Sequence, residues 1–382
     1  MKKIVFLCPF AFYPKGTVRA RCFPIAKELK NYGYEPILLI PPYDNTEESG
    51  KSYVLDNVKI VNINVPNESI FKPFIIVRNL IKEILLLKPD IVYLFKPKGF
   101  SGIVYQLFKY LPFKKMEFWL DVDDWEGKGG VNKINPYPFF WKMIFSYQQE
   151  KLPFMADIIT VASKTLESLL WSRGIEPSKI YYLPNAPLKI ENRIKQEKEE
   201  NYLIYVGYFT YGMALEDIIE AVSLLKKDNI FVNFYIVGKG VMQAELENLA
   251  KKLNVENQIK FLGFIKDYEK VKDLIKKSLA CVLPYRDNLV NRARCASKIA
   301  EYMSMRKLVF ASAIGENIEF LGNNRGILVK SSAYDWYEKL KDFLNNPSAY
   351  EIYKDNAYKY VKNHLNWQNL VKNFVKNFNL SQ

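Results

Sequence analysis

Histidine is almost absent from this sequence. The single one, His364, sits in a helical pattern near the C-terminus, so no imidazole is on hand as a base or metal ligand in the first half. Cysteine is sparse as well. Cys8, Cys22, Cys281 and Cys295 match no zinc spacing and are too few for a disulfide framework, which suits a reducing, cytoplasmic setting. No run of about 18 apolar residues occurs, which excludes a membrane-spanning helix. The opening "MKKIVFLCPF" is short and runs into Pro9 and Pro14, so it reads as a strand and not as a secretory leader. No basic tail is present. The 55 Lys and Arg against 41 Asp and Glu give a net charge of +14. That excess is spread along the chain and is mostly Lys, which favours a solvated surface over nucleic-acid readout, so no nucleic-acid partner is expected.

What is present is ample for packed cores: 49% of residues are hydrophobic and 15% aromatic. A length of 382 residues suits two domains. Apolar runs at 3–8, 36–40, 58–63, 90–95, 116–122, 157–162 and 179–184 read as strands, with amphipathic segments such as 19–32, 73–87 and 163–173 between them. The charged stretch "KIENRIKQEKEEN" reads as a linker over 189–201. The alternation then restarts, with strands at 202–207, 231–238, 259–263, 279–284, 308–312 and 326–329, and ends in helical segments from about 332 to 380. Wholly apolar strands alternating with helices predict two doubly wound α/β domains with parallel sheets. In such sheets ligands bind beyond the carboxyl ends of the strands, and two facing domains place a site in the cleft between them.

Three stretches carry chemistry. In "VGKGVMQAEL", Gly238 and Gly240 follow a strand and open a helix, a turn that lets backbone N–H groups approach a phosphate. Gln243 stands where the dinucleotide fingerprint needs a third glycine, so an ordinary strand-to-helix turn is an equal reading. In "NRARCASKIAEYMSMRKLVFAS" a helix starts near Ser297, with Lys298 in its first turn and Glu301 three residues on, on the same face. A cation at a helix N-terminus opposes the dipole, and an anionic phosphate docking there would resolve this. A plain surface pair at that spacing is the competing reading. In "FWLDVDDWEG", Asp121, Asp123, Asp124 and Glu126 crowd the end of a buried strand. Packed acids raise one another's pKa, a cost that marks either a site or a loop-fixing cluster. The D-x-D pattern also admits a metal site or a phosphatase of the haloacid dehalogenase type, although Trp125 and the preceding strands speak against the latter.

"SKIAEYMSMRKLVFAS" resembles a segment of the retaining group 1 (family 4) glycosyltransferases, which have the GT-B fold. "YVGYF" (205–209), "IVGKG" (236–240), "IKFLGFI" (259–265), "VLPYRD" (282–287), "LPNAP" (183–187) and "HLNWQNLVKNF" (364–374) follow in the family's order. The resemblance implies an N-terminal acceptor-binding Rossmann-like domain over 1–188 and a nucleotide-sugar-binding one over 202–365. A last helix over 366–382 would return to the first domain. It implies a hexosyltransferase that moves a hexose from a UDP- or GDP-linked sugar to a glycan or lipid-linked acceptor with retention, without a metal or other cofactor. Glu301 would bind the donor ribose. Lys298, with Arg292 or Arg294, would face the diphosphate, Asn291, Gly207, Gly238 and Lys239 would belong to the same donor site, and the backbone near Phe264 and Ile265 would read the base. Gly16, Thr17, Arg19 and Arg21 would form the acceptor and phosphate loop, and Asp123, with Asp124 beside it, would stand where many members place a catalytic histidine. A basic surround of Arg19, Arg21 and Lys298 would offset the acids. The family's second glutamate is Ala293 here, and its "R…KG" is "YFTYGM". These departures keep a second reading open: a non-catalytic sugar-nucleotide-binding partner in an assembly complex.

"KPFIIVRNLIKEILLLKP" (72–89) and "YQLFKYLPFKK" (105–115) interleave apolar and basic residues. They read equally as a surface that docks on the inner face of a membrane or as core helices whose cations reach back to solvent.

Overall fold

A computed structural model describes residues 1–13, 16–110, 116–191, 197–330 and 332–380. The chain divides into two compact units. The first holds Met1–Leu188, Ala293–Cys295 and Trp367–Gln382; the second holds Lys189–Arg292 and Ala296–Asn366.

The first unit is built on eight strands: β1 (Lys2–Leu7), β2 (Tyr34–Ile40), β3 (Ser52–Leu55), β4 (Val58–Asn62), β5 (Ile91–Phe95), β6 (Glu117–Val122), β7 (Ile158–Val161) and β8 (Ile180–Tyr182). Their order across the sheet is β3-β4-β2-β1-β5-β6-β7-β8. All pairings are parallel except β3 with β4. That edge strand escapes the sequence pattern because all four of its residues are exposed. It is joined to β4 by Asp56 and Asn57 at φ 45° and 63°, the left-handed pair a tight hairpin needs. The interior strands are buried on both faces, as their continuous apolar runs require. Phe118 meets Tyr105 on one face of the sheet. Its neighbour Trp119 turns to the other face and meets Tyr34, Tyr93 and Phe374. Phe374 belongs to the C-terminal helix Trp367–Asn377, whose packing on this sheet makes it part of the first unit.

The second unit has six parallel strands: β9 (Tyr202–Val206), β10 (Asn233–Val237), β11 (Ile259–Gly263), β12 (Ala280–Leu283), β13 (Val309–Ser312) and β14 (Ile327–Val329). Their order, β11-β10-β9-β12-β13-β14, is that of a dinucleotide-type doubly wound sheet, which reverses direction between β9 and β12. The stretch expected as a linker is tied to this unit. Lys276 donates to Glu191 at 3.0 Å, Tyr358 donates to the Glu191 carbonyl, and Glu199 pairs with Lys307 and Lys354 at 2.6 and 3.0 Å. Glu199 is thus the partner of two buried lysines. Residues 192–196 of that stretch lie outside the described residues, as do Pro14, Lys15 and 111–115. Among the described residues no helix is long and apolar enough to cross a membrane.

Candidate functional site

In the first unit the sheet reverses its winding between β1 and β5, and the acids of "FWLDVDDWEG" lie one strand away at the end of β6. Asp121 is the last polar residue inside the strand and is fully buried. It faces Thr160 across β7, and Thr160 donates to it. Tyr93 in turn bonds Thr160 at 2.6 Å. Arg21 closes the cage. Its guanidinium forks onto both Asp121 oxygens at 2.7 and 2.6 Å and donates a third bond to Asn185 Oδ1 at 3.0 Å. Arg21 comes from a π-helical turn, Val18–Cys22, in which Phe23 N–H reaches back to the Val18 carbonyl. Such widened turns recur at functional sites. Burial lowers the guanidinium's pKa, but Asp121 and then Asp123 more than reverse this and drive it upward.

The other acids are met by cations that sequence reasoning missed. Lys96 follows β5 with φ 62°, a left-handed turn that points its ammonium inward. It lies 2.6 Å from Asp124, 3.2 Å from Asp123 and 3.9 Å from Glu126. Lys98 bonds Glu126 at 2.8 Å and sits over the Tyr137 ring at 4.5 Å. Burial opposes the Lys96 charge, yet Asp123, Asp124 and Glu126 together raise its pKa well above the usual value. The helix Phe139–Met155 braces the loops from beneath: Gln148 clamps Gly99 through both its amide atoms, and Gln149 accepts from Glu126 N–H. The available signal was the "KPK" at 96–98 just after a strand end.

Asp123 and Asp124 diverge chemically. Burial disfavours the Asp123 carboxylate, and Asp124 and Asp121 add repulsion; Lys96 offsets only part, so its pKa rises to about 7. Its Oδ1 is buried and has no hydrogen bond of sound geometry despite the nearby Lys96. For Asp124 burial acts upward too, but Lys96, Arg294 and Lys98 hold the pKa below the ordinary range. The geometry sets one carboxyl, ion-paired with Lys96 but with a buried oxygen that accepts no hydrogen bond, beside one held ionised. Among the described residues no group of three or more acid, histidine or cysteine side chains could hold a metal ion. Arg21, Lys96 and Lys98 already supply the positive charge the acids need.

In the second unit the expected donor residues gather beyond the carboxyl ends of the strands. Gly207 follows β9, and Gly238 and Lys239 follow β10. Gly238 has φ 136°, and a Cβ there would fall 1.9 Å from the Gly207 carbonyl oxygen. At Gly240 a Cβ would fall 1.9 Å from the Phe209 carbonyl oxygen. These glycines therefore let two strand-end turns run side by side, with Phe209 N–H bonded to the Lys239 carbonyl. Phe264 and Ile265 follow β11, and Phe264 is 70% exposed, with Lys239 over its ring at 6.0 Å. The helix Ser297–Ser304 begins uncapped after Ala296. On it Lys298 pairs with Glu301 at 2.9 Å and lies 5.4 Å from the Tyr268 ring centre. Both side chains keep part of their surface exposed.

Four expected residues stand elsewhere than anticipated. Arg21 has its donors committed to Asp121 and Asn185, because a buried carboxylate needs them. Asn291 is buried, and its amide bonds the Gly212 and Arg286 carbonyls, so it fixes a loop. Arg292 is exposed and chelated by Asp287 at 2.7 Å. Arg294 belongs to the first unit, close enough to Asp124 to hold its charge. Cys295 in the same tripeptide bonds Asn185 through its carbonyl at 2.8 Å. Gly16, Thr17 and Arg19 lie together before and in the π-helical turn, and Arg19 is exposed with its guanidinium 5.4 Å from the Tyr13 ring centre.

Residues 188–360 match the family model for glycosyl transferases group 1. An uncharacterized glycosyltransferase of Methanocaldococcus jannaschii is 27% identical over 238 residues, 58% of this chain and 58% of that protein. The Campylobacter jejuni N-acetylgalactosamine-N,N'-diacetylbacillosaminyl-diphospho-undecaprenol 4-alpha-N-acetylgalactosaminyltransferase is 34% identical over 115 residues, 28% of this chain and 30% of that protein. The matches thus span less than two thirds of both relatives. The solved structure of Anabaena Alr3699/HepE in complex with UDP covers 100% of both chains with a TM-score of 0.69 at 11% identity. At that identity the likeness speaks for the fold, which is GT-B.

Proposed function

We propose, from the match of residues 188–360 to the glycosyl transferases group 1, that this chain is a retaining hexosyltransferase of that group. It takes its sugar from a UDP- or GDP-linked donor and passes it to a glycan or lipid-linked acceptor in cell-surface glycan synthesis. The observation that carries the reading is the Lys298–Glu301 pair on the first turns of a helix beside the winding reversal of the second sheet. The ammonium meets the diphosphate and the carboxylate accepts from the ribose hydroxyls; each releases the other when the donor arrives. The donor diphosphate is met by the protein's own cation and backbone N–H groups, without a divalent metal. The acceptor oxygen bonds to the anomeric carbon, the bond from that carbon to the diphosphate breaks, and the acceptor proton leaves with the diphosphate. Asp123, whose Oδ1 accepts no hydrogen bond, holds the acceptor hydroxyl or steadies the charge that develops on the sugar. The four buried free thiols support a cytoplasmic setting.

The test is release of nucleoside diphosphate from a panel of UDP- and GDP-sugars, with mass spectrometry of added acceptors. Turnover with one donor, lost in Glu301→Gln and in Asp123→Asn, supports the reading. Binding of a donor with no turnover, unchanged in Asp123→Asn, would favour the non-catalytic partner.

A further inference from the structure

The helices Lys72–Leu87, Gly99–Tyr110 and Phe139–Met155 pack side by side on the Phe118 face of the first sheet. Each buries one stripe against the strands. On the first helix that stripe is Ile76, Leu80 and Ile84. The outward stripes are the unusual feature. On the first helix, Phe74, Arg78, Lys82 and Leu85 follow one another at helical spacing, and all four are exposed. On the third, Phe140, Met143, Tyr147, Lys151 and Phe154 do the same. Leu107 and Tyr110 expose the middle helix between them, and Gln106 donates to Tyr147 across the layer. Phe74 is 76% exposed and Phe139 78%, far beyond what scattered surface apolar residues require.

Charge decides what this face would meet. Among the described residues of these three helices, the exposed charged groups are Arg78, Lys82 and Lys151. The acids of the outer two helices, Glu83 and Glu150, are half-buried and off the stripes, and Glu150 is spent on Arg173 at 3.0 Å. A second copy of a chain with net charge +14 would bring cation against cation. An anionic bilayer offers both what the apolar side chains and what the cations lack. The amino ends of the outer helices, with Phe71, Phe74, Phe139 and Phe140, lie toward the carboxyl end of the parallel sheet, the end that carries Asp123.

We propose that this three-helix layer lies on an anionic lipid surface, with its aromatic and aliphatic side chains at headgroup depth and its cations against lipid phosphates. None of these helices is fit to span the membrane, so the contact is peripheral. The inference stands on the surface alone and does not depend on the transferase reading.

The test is co-sedimentation of the full chain with vesicles of phosphatidylcholine containing about one-third phosphatidylglycerol, against phosphatidylcholine alone. Two variants remove one component each: Phe74→Ser with Phe140→Ser and Met143→Ser, and Arg78→Gln with Lys82→Gln and Lys151→Gln. All six side chains are solvent-facing or nearly so, and an unchanged melting temperature checks that the fold persists. The wild type is expected to sediment with the anionic vesicles, and each triple variant to partition roughly tenfold less. No sedimentation by the wild type, or sedimentation of either variant at the wild-type level, overturns the proposal. A concentration-dependent dimer that the serine variant abolishes also overturns it and assigns the face to a second copy.

Discussion

Arg21 grips Asp121 with two parallel hydrogen bonds, at 2.7 and 2.6 Å, in a region closed to solvent. The bond joins a helical turn near the N-terminus to the centre of the sheet a hundred residues later, and it consumes the charge of the acid nearest the core. Breaking a buried pair from one side strands the other charge. Arg21→Met is therefore expected to destabilise the chain by about 3–5 kcal/mol. Arg21→Lys recovers only part, because an ammonium cannot fork. Urea unfolding monitored by tryptophan fluorescence reads both.

Asp123 makes stability depend on pH. A carboxyl whose folded pKa lies above its unfolded one favours the folded state in acid. That contribution is full below an unfolded pKa of about 3.9 and is lost as pH rises through about 7. Asp123→Asn is expected to flatten the stability profile over that window and to gain on the wild type toward alkaline pH. Parallel unfolding curves at several pH values check the sign; a variant that follows the wild-type profile would contradict the assignment.

Lys96 is the cation that keeps this group as acidic as it is. Lys96→Met removes positive charge beside Asp123 and Asp124, so protonation of these two shifts to higher pH. The rising limb of a pH–turnover profile is expected to move upward in this variant. A lowered rate with an unmoved limb would mean that Lys96 acts only on structure.

Gly238→Ala tests the second unit's turns. The added Cβ would meet the Gly207 carbonyl oxygen at 1.9 Å, at a φ of 136° that side chains avoid. A loss of about 2 kcal/mol or more is expected, read as a lower denaturant midpoint.

The layered architecture was legible because burial on both faces writes itself into continuous apolar strands. The edge strand β3 was not, since four exposed residues carry no such mark. At the site, the acids could be read but their partners could not. Lys96 and Lys98 follow β5, which only the sheet order makes the neighbour of β6. Asn291 was expected at the donor site from the resemblance alone; only the fold shows its amide bonding two loop carbonyls. The linker looked free because its charges were visible and the buried lysine partners of Glu199, 108 and 155 residues on, were not.

The donor site is tested most directly by calorimetric titration of UDP and GDP into the wild type, Lys298→Met, Glu301→Gln and Asp123→Asn, without and with magnesium. Binding of one nucleotide without magnesium is expected. It should weaken roughly ten- to a hundredfold in the Lys298 and Glu301 variants, as loss of a charged hydrogen bond implies, and hold in Asp123→Asn. Binding that needs magnesium and vanishes in Asp123→Asn, or no binding at all, would contradict a donor site built on Lys298 and Glu301.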